Sequence, residues 1–374
     1  MEYKSDSLHG GAYEQSLNVA FVGCGGFSTE YWGVYRDLSW VKVVACIDPD
    51  NAVASRAALV MNERATISER FEDALREDVD VIVINTPNHL HCVQATSALR
   101  RGKNVLLQKP AAVSLAEALE IQAATRESDG VLGMYMSYLD HPLMHAIRHS
   151  VQSGELGTIV SADAVCAHRG GLRWSERHLV GEETWRSSKA QTGGGCLIQL
   201  GIHYVFLLEW MLGSHIARVQ GISRNLLCPG LDGDDLVAVL LEFESGTVGT
   251  LGSSWSSTGE LISLRGSGGH FFYTDLEWLS GSVKFKHWNR DCAEHWPSQC
   301  KPPSLDDVTN PYNQHRMFLE AIRDGQPPPV SLDVAVRNLA VIEAIYEAAA
   351  TGGSVEVASV MARAARGRDM GVAK

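Results

Sequence analysis

The sequence has little positive charge and lacks the patterns that mark several classes of protein. Its 374 residues include 32 lysines and arginines against 44 aspartates and glutamates, a formal net charge of −12. That balance argues against binding to the phosphate backbone of nucleic acids. No apolar run reaches the ~18 residues of a membrane-spanning helix. Residues 1–15 form a polar tail without the apolar core of a secretion signal. We therefore expect a cytoplasmic protein that binds neither nucleic acid nor membrane.

The eight cysteines form no Cys-x-x-Cys pair, so the sequence predicts no metal site. Several of them lie in apolar runs, where a free cysteine packs as a small hydrophobic side chain. Reduced, buried thiols are the expectation, with disulfides or zinc as the alternative. A hydrophobic fraction of 45% excludes a disordered chain, and the length indicates two or three domains.

Strand-like and helical patterns alternate strictly over residues 1–138. The predicted strands are 17–22, 41–47, 79–84, 104–107 and 131–136. The predicted helices are 31–38, 51–61, 71–76, 89–101 and 115–127. This alternation predicts an α/β Rossmann domain with a doubly wound parallel sheet.

Strands dominate the second part of the chain, residues 139–374. The predicted strands are 158–166, 217–226, 236–244, 247–253 and 261–265. The predicted helices are 142–152, 196–212, 312–324 and 332–350. This part is expected to form an α+β domain on a large open sheet, followed by a solvated basic tail at 357–374.

A glycine-rich segment follows the first predicted strand and reads Gly23-Cys24-Gly25-Gly26-Phe27-Ser28. Glycines between a strand and a helix allow the close backbone approach that a dinucleotide pyrophosphate needs, although a plain glycine turn has the same composition. Asp48 ends the second strand, where a carboxylate can bind the ribose hydroxyls and repel a 2′-phosphate. An Asp-Pro turn is the alternative interpretation. Asp48 and the Pro49 that follows it therefore favour NAD over NADP.

Three further motifs lie where ligands of such folds bind or at the start of a helix. They are Asn85-Thr86-Pro87-Asn88-His89-Leu90-His91, Gln108-Lys109-Pro110 and the stretch from Gly193-Gly194-Gly195 to His203. The first two follow strands whose carboxyl ends border the ligand crevice. Gln199 and His203 are four residues apart, so they share one helix face. Ordinary surface or core histidines and a helix cap are the structural alternatives.

In this order and spacing, the motifs resemble the glucose–fructose oxidoreductase/inositol dehydrogenase family, Gfo/Idh/MocA, over about residues 17–356. The resemblance implies a mixed open sheet in the second domain, a bound NAD or NADP, and a homodimer or homotetramer assembled through that sheet. It also implies oxidation or reduction of a secondary alcohol on a carbohydrate-like or cyclitol substrate.

The resemblance also implies roles for individual residues. Lys109 matches the lysine that contacts both the nicotinamide and the substrate hydroxyl, and His203 matches the acid–base histidine. The other expected cofactor contacts are Gly23, Gly25, Gly26, Phe27, Ser28, Asp48, Thr86, Pro87, Asn88, His91, Gln108, Trp185 and Arg186. The other expected substrate contacts are Tyr138, Arg173 and Gln199.

Two positions depart from the family pattern. Gln108 stands in place of the usual glutamate before Lys-Pro, and Gln199 stands in place of the usual aspartate before the histidine. The chain has either lost catalysis and only binds a dinucleotide, or leaves the proton chemistry to Lys109 and His203. Electrostatics favours the second explanation, because removing carboxylates lowers the pKa of a neighbouring ammonium group.

The substrate is less well defined by the sequence. Tyr138-Leu139 replaces an Arg-Phe pair of many relatives, which argues against a strongly anionic substrate there. Arg169, Arg173, Trp174 and His178 are expected on a polar loop. The acidic surface favours a neutral or amino sugar. We expect an NAD-dependent enzyme that interconverts alcohol and ketone on a sugar, amino sugar, nucleotide sugar or cyclitol. The alternatives are an NAD-dependent glycosidase with transient oxidation and a non-catalytic dinucleotide-binding sensor or assembly subunit.

Overall fold

The computed structural model describes residues 16–182, 184–274, 284–289, 292–295 and 310–371. It describes all of their side chains except those of 274, 284–289, 292–295 and 368–371. The expected polar tail, 1–15, lies outside these residues, as do the side chains of Cys292 and Cys300. The six described cysteines are all free and buried: Cys24, Cys46, Cys92, Cys166, Cys196 and Cys228.

The first part of the chain forms one sheet of six parallel strands. They are β1 (Leu17–Val22), β2 (Val41–Ile47), β3 (Thr66–Ser68), β4 (Val81–Ile84), β5 (Asn104–Gln108) and β6 (Leu132–Tyr135). Their order in the sheet is β3-β2-β1-β4-β5-β6. Every residue of β4 is buried, which is typical of a strand covered on both faces. The predicted doubly wound sheet is therefore confirmed, and its order reverses between β1 and β4.

Helices cover both faces of this sheet. They are α1 (Trp32–Asp37), α2 (Asn51–Met61), α3 (Asn88–Leu99) and α4 (Leu115–Arg126). The side chains of Leu17, Val19 and Phe21 pack with α1 and α2, whereas Ala20 and Val22 pack with α3 and α4. Alternate residues of one strand thus serve two separate cores.

Two short elements differ from expectation. The predicted helix at 71–76 is a single 3-10 turn, Phe71–Ala74. The strand β3 was not predicted, because its three residues are exposed or half-buried and carry no apolar run. The strand β3 is an edge strand of the sheet and pairs with β2, which the 3-10 turn also contacts.

The second part of the chain forms a mixed sheet. Its strands are β7 (Ile159–Ala167), β8 (Ile216–Arg224), β9 (Leu236–Phe243), β10 (Val248–Ser254), β11 (Gly259–Gly266), β12 (Gly269–Thr274), β13 (Lys284–Asn289), β14 (Cys292–His295) and β15 (Val355–Glu356). Their order is β14-β13-β12-β11-β7-β10-β9-β8-β15. The pair β7 and β10 is parallel, and the other pairs are antiparallel. The expected open mixed sheet is confirmed.

The helices of this part are α5 (Pro142–Gln152), α6 (Gly170–Leu179), α7 (Lys189–Thr192), α8 (Ile202–Leu212), α9 (Gln314–Arg323), α10 (Leu332–Thr351) and α11 (Val357–Gly371). The stretch Lys189–Leu212 has the length and hydropathy of a membrane span. However, 89% of its apolar window is buried within the protein. It is therefore a core helix, packed against α5, α10 and β7.

Two segments correct the sequence analysis. The expected polar loop that carries Arg173 is the helix α6, and its hydrophobic contacts come from residues such as Trp174. The expected solvated tail at 357–374 is helical to residue 371. Val357 and Val360 are buried in the core, because apolar residues recur on one face of this helix.

The two parts of the chain contact each other extensively. Phe318, Leu319 and Ile322 of α9 return to the core on the α1 and α2 face of the first sheet. A Cβ at Gly133 would lie 2.6 Å from the ring of Phe318, so the glycine in β6 lets α9 pack closely. The domain boundary at 138/139 stays a prediction.

Candidate active site

The glycine-rich segment turns directly after β1, against the loop that follows β4. Gly23 has φ +83°, and a Cβ there would lie 2.7 Å from the carbonyl carbon of Asn85. Conformation and contact both exclude a side chain at this position. By contrast, a Cβ at Gly26 would meet nothing within 4 Å, and one at Gly25 would touch only Val53, at 3.6 Å. The loop therefore offers bare backbone to a ligand.

Ser28 and Phe27 continue this loop into a 3-10 helix, Gly26–Tyr31. Ser28 is buried, and its hydroxyl donates to the carbonyl oxygen of Gly25 at 3.0 Å. The side chain of Phe27 is 48% exposed at the mouth of the loop. A serine thus fills the place of a third glycine without a clash.

Asp48 connects the end of β2 to the glycine loop. Its Oδ2 accepts the backbone N–H of Cys24 at 2.8 Å, and its Oδ1 accepts that of Asp50 at 2.9 Å. A carboxylate oxygen has a second lone pair, so the half-buried side chain can still accept ribose hydroxyls. The Asp-Pro turn and a ribose contact are therefore compatible.

A buried histidine, His91, contacts the backbone of the loop that follows β4. The Nδ1 of His91 lies 2.8 Å from the carbonyl oxygen of Pro110, and its Nε2 lies 2.8 Å from that of Thr86. Burial lowers the pKa of His91 to about 4, so the ring is neutral at pH 7. A neutral ring has one N–H, so it donates to only one of these two carbonyl oxygens. Both nitrogens nevertheless face protein carbonyls, so His91 lies between the loops after β4 and β5 and offers neither nitrogen to a ligand.

Asn88 links the two halves of the site. Its amide Nδ2 donates to the carbonyl oxygen of Thr192 at 2.9 Å, and its side chain is 3% exposed. Pro87 precedes it at the start of α3, and the Thr86 hydroxyl donates to Gln94 at 2.6 Å. The hydrogen bond between Asn88 and Thr192 brings the start of α3 beside the glycine triplet, which begins at the next residue, Gly193.

Lys109 follows β5 and reaches across to the second half of the chain. Its Nζ donates to the backbone carbonyl oxygen of Gln199 at 2.6 Å. Burial lowers the pKa of Lys109 to about 7, and the positive charge of Arg186 acts in the same direction. The Oε1 of Gln108 accepts the backbone N–H of Lys109 at 2.9 Å. Because this side chain is a neutral amide, it adds no negative charge that would raise the pKa of Lys109. A fraction of Lys109 is therefore neutral at pH 7.

His203 lies in the first turn of α8 and is 5% exposed. Its ring centroid is 4.9 Å from that of Tyr138, so the expected substrate residue Tyr138 is adjacent to it. Burial holds the pKa of His203 well below its usual value, and the charge of Lys109 adds to this effect. The imidazole is thus neutral at pH 7.

The turn before His203 is a π-helix, Leu197–Gly201. The N–H of Ile202 donates to the carbonyl of Leu197, five residues earlier, and such turns are frequent at functional sites. The Nε2 of Gln199 and the Nδ1 of His203 are buried without a partner in the described part of the chain. Unpaired buried polar atoms are costly, so this turn is a candidate ligand-binding surface.

The glycine triplet has a structural cause that the sequence analysis missed. A Cβ at Gly195 would lie 1.9 Å from the carbonyl oxygen of Asp234. The buried carboxylate of Asp234 accepts the N–H groups of Gly195 at 3.0 Å and Leu197 at 2.9 Å, and the hydroxyl of Tyr346 at 2.7 Å. Asp234 therefore caps the helix that carries Gln199 and His203. It is distant in sequence, so no local pattern pointed to it.

Arg186 lies between two indole rings. Its guanidinium carbon is 4.3 Å from the ring centroid of Trp185 and 5.1 Å from that of Trp174. His168, which the sequence analysis also missed, has its pKa lowered by burial and then by Lys109 and Arg186. Lys109, Arg186 and His168 therefore lie close enough for their charges to interact, and Lys109 contacts the π-helical turn.

The structure does not bring Arg173, a predicted substrate contact, into contact with these basic side chains. Its side chain is exposed on α6, whereas Trp174, the next residue, faces Arg186. Because 170–179 is a helix, neighbouring residues point in different directions. A substrate contact by Arg173 stays a prediction.

Two family models match the chain. "Oxidoreductase family, NAD-binding Rossmann fold" covers residues 17–136, and "GFO/IDH/MocA C-terminal domain" covers residues 144–271. The chain belongs to the Gfo/Idh/MocA family. It is an oxidoreductase of that family, and its first domain binds NAD.

Individual known proteins match most of the length of this chain at low sequence identity. D-apiose dehydrogenase of Paraburkholderia graminis is 24% identical, over 92% of this chain and 91% of that protein. A 2,7-anhydro-N-acetylneuraminate hydratase of Mediterraneibacter gnavus is 24% identical, over 87% and 84%. The structure of GenD2 from gentamicin A biosynthesis, in complex with NAD, has a TM-score of 0.76 and 27% identity, over 91% and 96%. The family resemblance expected from the motifs is confirmed.

Proposed function

We propose that this family member interconverts a secondary alcohol and a ketone on a sugar, amino sugar, nucleotide sugar or cyclitol. One observation carries the proposal: Lys109, with a pKa of about 7, lies beside a neutral His203 at the end of the NAD-binding sheet. A general base works best when its pKa is near the working pH. NAD supplies hydride transfer when it is bound.

The residues of the chain would handle the hydroxyl proton. In oxidation, neutral Lys109 takes the proton at Nζ, and the carbonyl oxygen of Gln199 stabilises the ammonium group that results. His203 is neutral, so it can hold the same hydroxyl by accepting or donating a hydrogen bond. In reduction, the ammonium group of Lys109 returns the proton. Gly23, Gly25, Gly26, Ser28 and Asp48 would hold the cofactor.

The test is NADH formation at 340 nm across a panel of sugars and cyclitols. Lys109→Ala and His203→Ala should each lower kcat by about 10²- to 10⁴-fold, the usual contribution of an acid–base residue. Lys42→Ala, an exposed lysine on β2, is the matched control and should retain activity. Near-normal turnover by either site variant would refute the assignment.

The second candidate is a reaction with transient oxidation, such as glycoside cleavage or hydration. The observation that favours it is the similarity to the 2,7-anhydro-N-acetylneuraminate hydratase, because a hydration has no net oxidation. The same Lys109 and His203 would act, but no NADH would accumulate. Product formation without a change at 340 nm would select this candidate. NADH binding without product in either assay would favour a non-catalytic sensor or assembly subunit.

We also propose a homodimer or homotetramer in the cytoplasm, assembled through the open face of the second sheet. Ile222, Leu240, Val248 and Val165 lie on four adjacent strands and are 57%, 58%, 54% and 37% exposed. The strand registers place them on one face, and such apolar patches mark interfaces. Leu240→Glu should shift the mass in analytical ultracentrifugation towards the monomer. An unchanged mass would refute this interface.

A further inference from the structure

Tyr31 is a buried tyrosine whose hydroxyl group lies between two neighbouring strand ends of the candidate site. It is the last residue of the 3-10 helix Gly26–Tyr31 and is 1% exposed. Its hydroxyl donates to the Oδ1 of Asn85, in the loop that follows β4. Burial raises the pKa of Tyr31 well above its usual value, and a hydrogen bond with the side chain of Gln108, at the end of β5, opposes this rise. The hydroxyl therefore keeps its proton and connects the ends of β4 and β5.

Aromatic side chains hold the ring of Tyr31 in place. The ring of His315, from α9, is stacked on it with 3.8 Å between the ring centroids. The ring of Tyr135, from β6, meets it edge-on at 5.5 Å. His315 is itself held by the hydroxyl of Tyr35, 2.8 Å from its Nδ1. Because the ring is packed in this way, the position of the Tyr31 hydroxyl is well defined.

The hydrogen bonds of Tyr31 account for the glutamine at position 108. A tyrosine hydroxyl has one proton, which goes to Asn85, so a second partner must donate to the phenol oxygen. The amide of Gln108 can do so while its Oε1 accepts the backbone N–H of Lys109 at 2.9 Å. A glutamate is ionised at pH 7 and would face the phenol oxygen with another acceptor. An amide at position 108 thus satisfies Tyr31 and Lys109 together.

We propose that Tyr31 and Gln108 form a pair that positions Lys109 for the reaction at the substrate hydroxyl. The inference rests on the proposed oxidoreductase function and adds two positioning residues to it. Lys109 directly follows Gln108, and its Nζ reaches the carbonyl oxygen of Gln199 at 2.6 Å. A displacement of about 1 Å at a reacting group can cost about 10²-fold in rate. Fixing the end of β5 therefore matters for the rate.

The test compares Tyr31→Phe with the matched control Tyr35→Phe. Each substitution removes one buried hydroxyl group, but that of Tyr35 bonds to His315 and that of Tyr31 to Asn85. The urea midpoint should fall in both variants, because each loses a buried hydrogen bond. Tyr31→Phe alone should lower kcat, by about 5- to 20-fold, with little change in the KM for NAD.

A second measurement does not depend on turnover. Lys109 is half-buried, so trace labelling with acetic anhydride, read by mass spectrometry, reports its neutral fraction at each pH. In the unmodified protein the labelling midpoint should lie near the pKa of about 7 that burial and the charge of Arg186 produce. Tyr31→Phe changes no charge, so it should raise the midpoint by about one pH unit through looser burial, and Tyr35→Phe should not. Both variants keep the histidines whose pKa values are lowered by Lys109: His91, His168 and His203.

A double-substitution cycle tests whether Tyr31 acts through Gln108. In a Gln108→Leu variant, Tyr31→Phe should lower kcat by less than about twofold further, because the connection to Lys109 is already broken. Effects of the two substitutions that simply multiply would overturn the inference.

Two other results would also overturn it. One is equal kcat and equal labelling midpoints in Tyr31→Phe and Tyr35→Phe. The other is a Tyr31→Phe variant that changes only the KM for NAD, which would assign Tyr31 to the cofactor loop. If no sugar or cyclitol is turned over, the labelling midpoint alone decides whether Tyr31 positions Lys109, and the proposed oxidoreductase reaction fails separately.

Discussion

The absence of a carboxylate beside Lys109 can be tested by restoring one. Gln199→Asp places a negative charge on the π-helical turn whose carbonyl already binds the Lys109 ammonium group at 2.6 Å. In the unmodified protein the amide Nε2 of Gln199 is buried without a partner, so the substitution removes no hydrogen bond of the described structure. The change therefore acts mainly through charge.

The expected size of the effect follows from Coulomb's law. Two unit charges about 6 Å apart at an effective dielectric constant of about 20 interact with about 2.8 kcal/mol, or about two pKa units. The carboxylate stabilises the ammonium form, so the pKa of Lys109 should rise from about 7 towards 9. Oxidation needs the neutral amine, hence its rate increases as pH rises through this pKa.

The assay is kcat/KM for sugar oxidation between pH 5.5 and 10. The acid limb should move upward by about one to two pH units, which lowers the rate at pH 7 by about 5- to 50-fold and leaves the alkaline plateau in place. In the direction of ketone reduction the active range should extend to higher pH. Gln199→Asn is the neutral control and should keep the original profile.

The reasoning would be refuted by an acid limb that stays where it was in a folded Gln199→Asp variant. Circular dichroism and the NADH affinity establish that the variant is folded. A shift that also appears in Gln199→Asn would mean that the length of the side chain, and not its charge, sets the profile. In that case the link between Gln199 and the pKa of Lys109 would be wrong.

Three further substitutions test the parts that hold the site. Gly23→Ala should destabilise the fold by about 2 to 4 kcal/mol, because of the left-handed backbone and the contact with the loop after β4, as measured by urea unfolding. Asp48→Ser should raise the KM for NAD by about tenfold or more and reduce the preference over NADP, as measured by steady-state kinetics with both cofactors. Asp234→Ala should cost about 2 to 3 kcal/mol, because two backbone N–H groups, a hydroxyl and a thiol lose their acceptor, and its urea midpoint should fall. An unchanged midpoint or cofactor ratio would contradict the corresponding role.

Patterns that are local in sequence predicted most of the fold. Continuous Val and Ile residues identify β4, and the glycines after β1 identify the first loop, because each signal depends on a few neighbouring residues. The strand bounds of β1 and β2 agree with the prediction residue for residue. The motif order also predicted that Lys109 and Gln199 lie close together.

Residues whose role depends on distant contacts could not be predicted in this way. Asp234 caps the helix at Gly195, although 39 residues separate them. The amphipathic helix α11 has few large apolar side chains, and only the packed core shows that Val357 and Val360 are buried. The helix α6 has a polar composition, so its one packed face was not recognised. The π-helical turn depends on backbone register, which composition does not encode.

The net charge of the protein and the local charge of Lys109 and Arg186 have opposite effects on an anionic ligand such as NADH, and distance decides which effect dominates. The net charge of −12 is spread over the surface, and salt screens it beyond about 8 Å at physiological ionic strength. It therefore affects mainly the rate at which an anion approaches. Arg186 is half-buried, so salt screens a direct contact with its guanidinium group far less. NADH should thus associate faster as salt increases, whereas replacing Arg186, an expected cofactor contact, should raise its dissociation rate. Stopped-flow binding measures both rates.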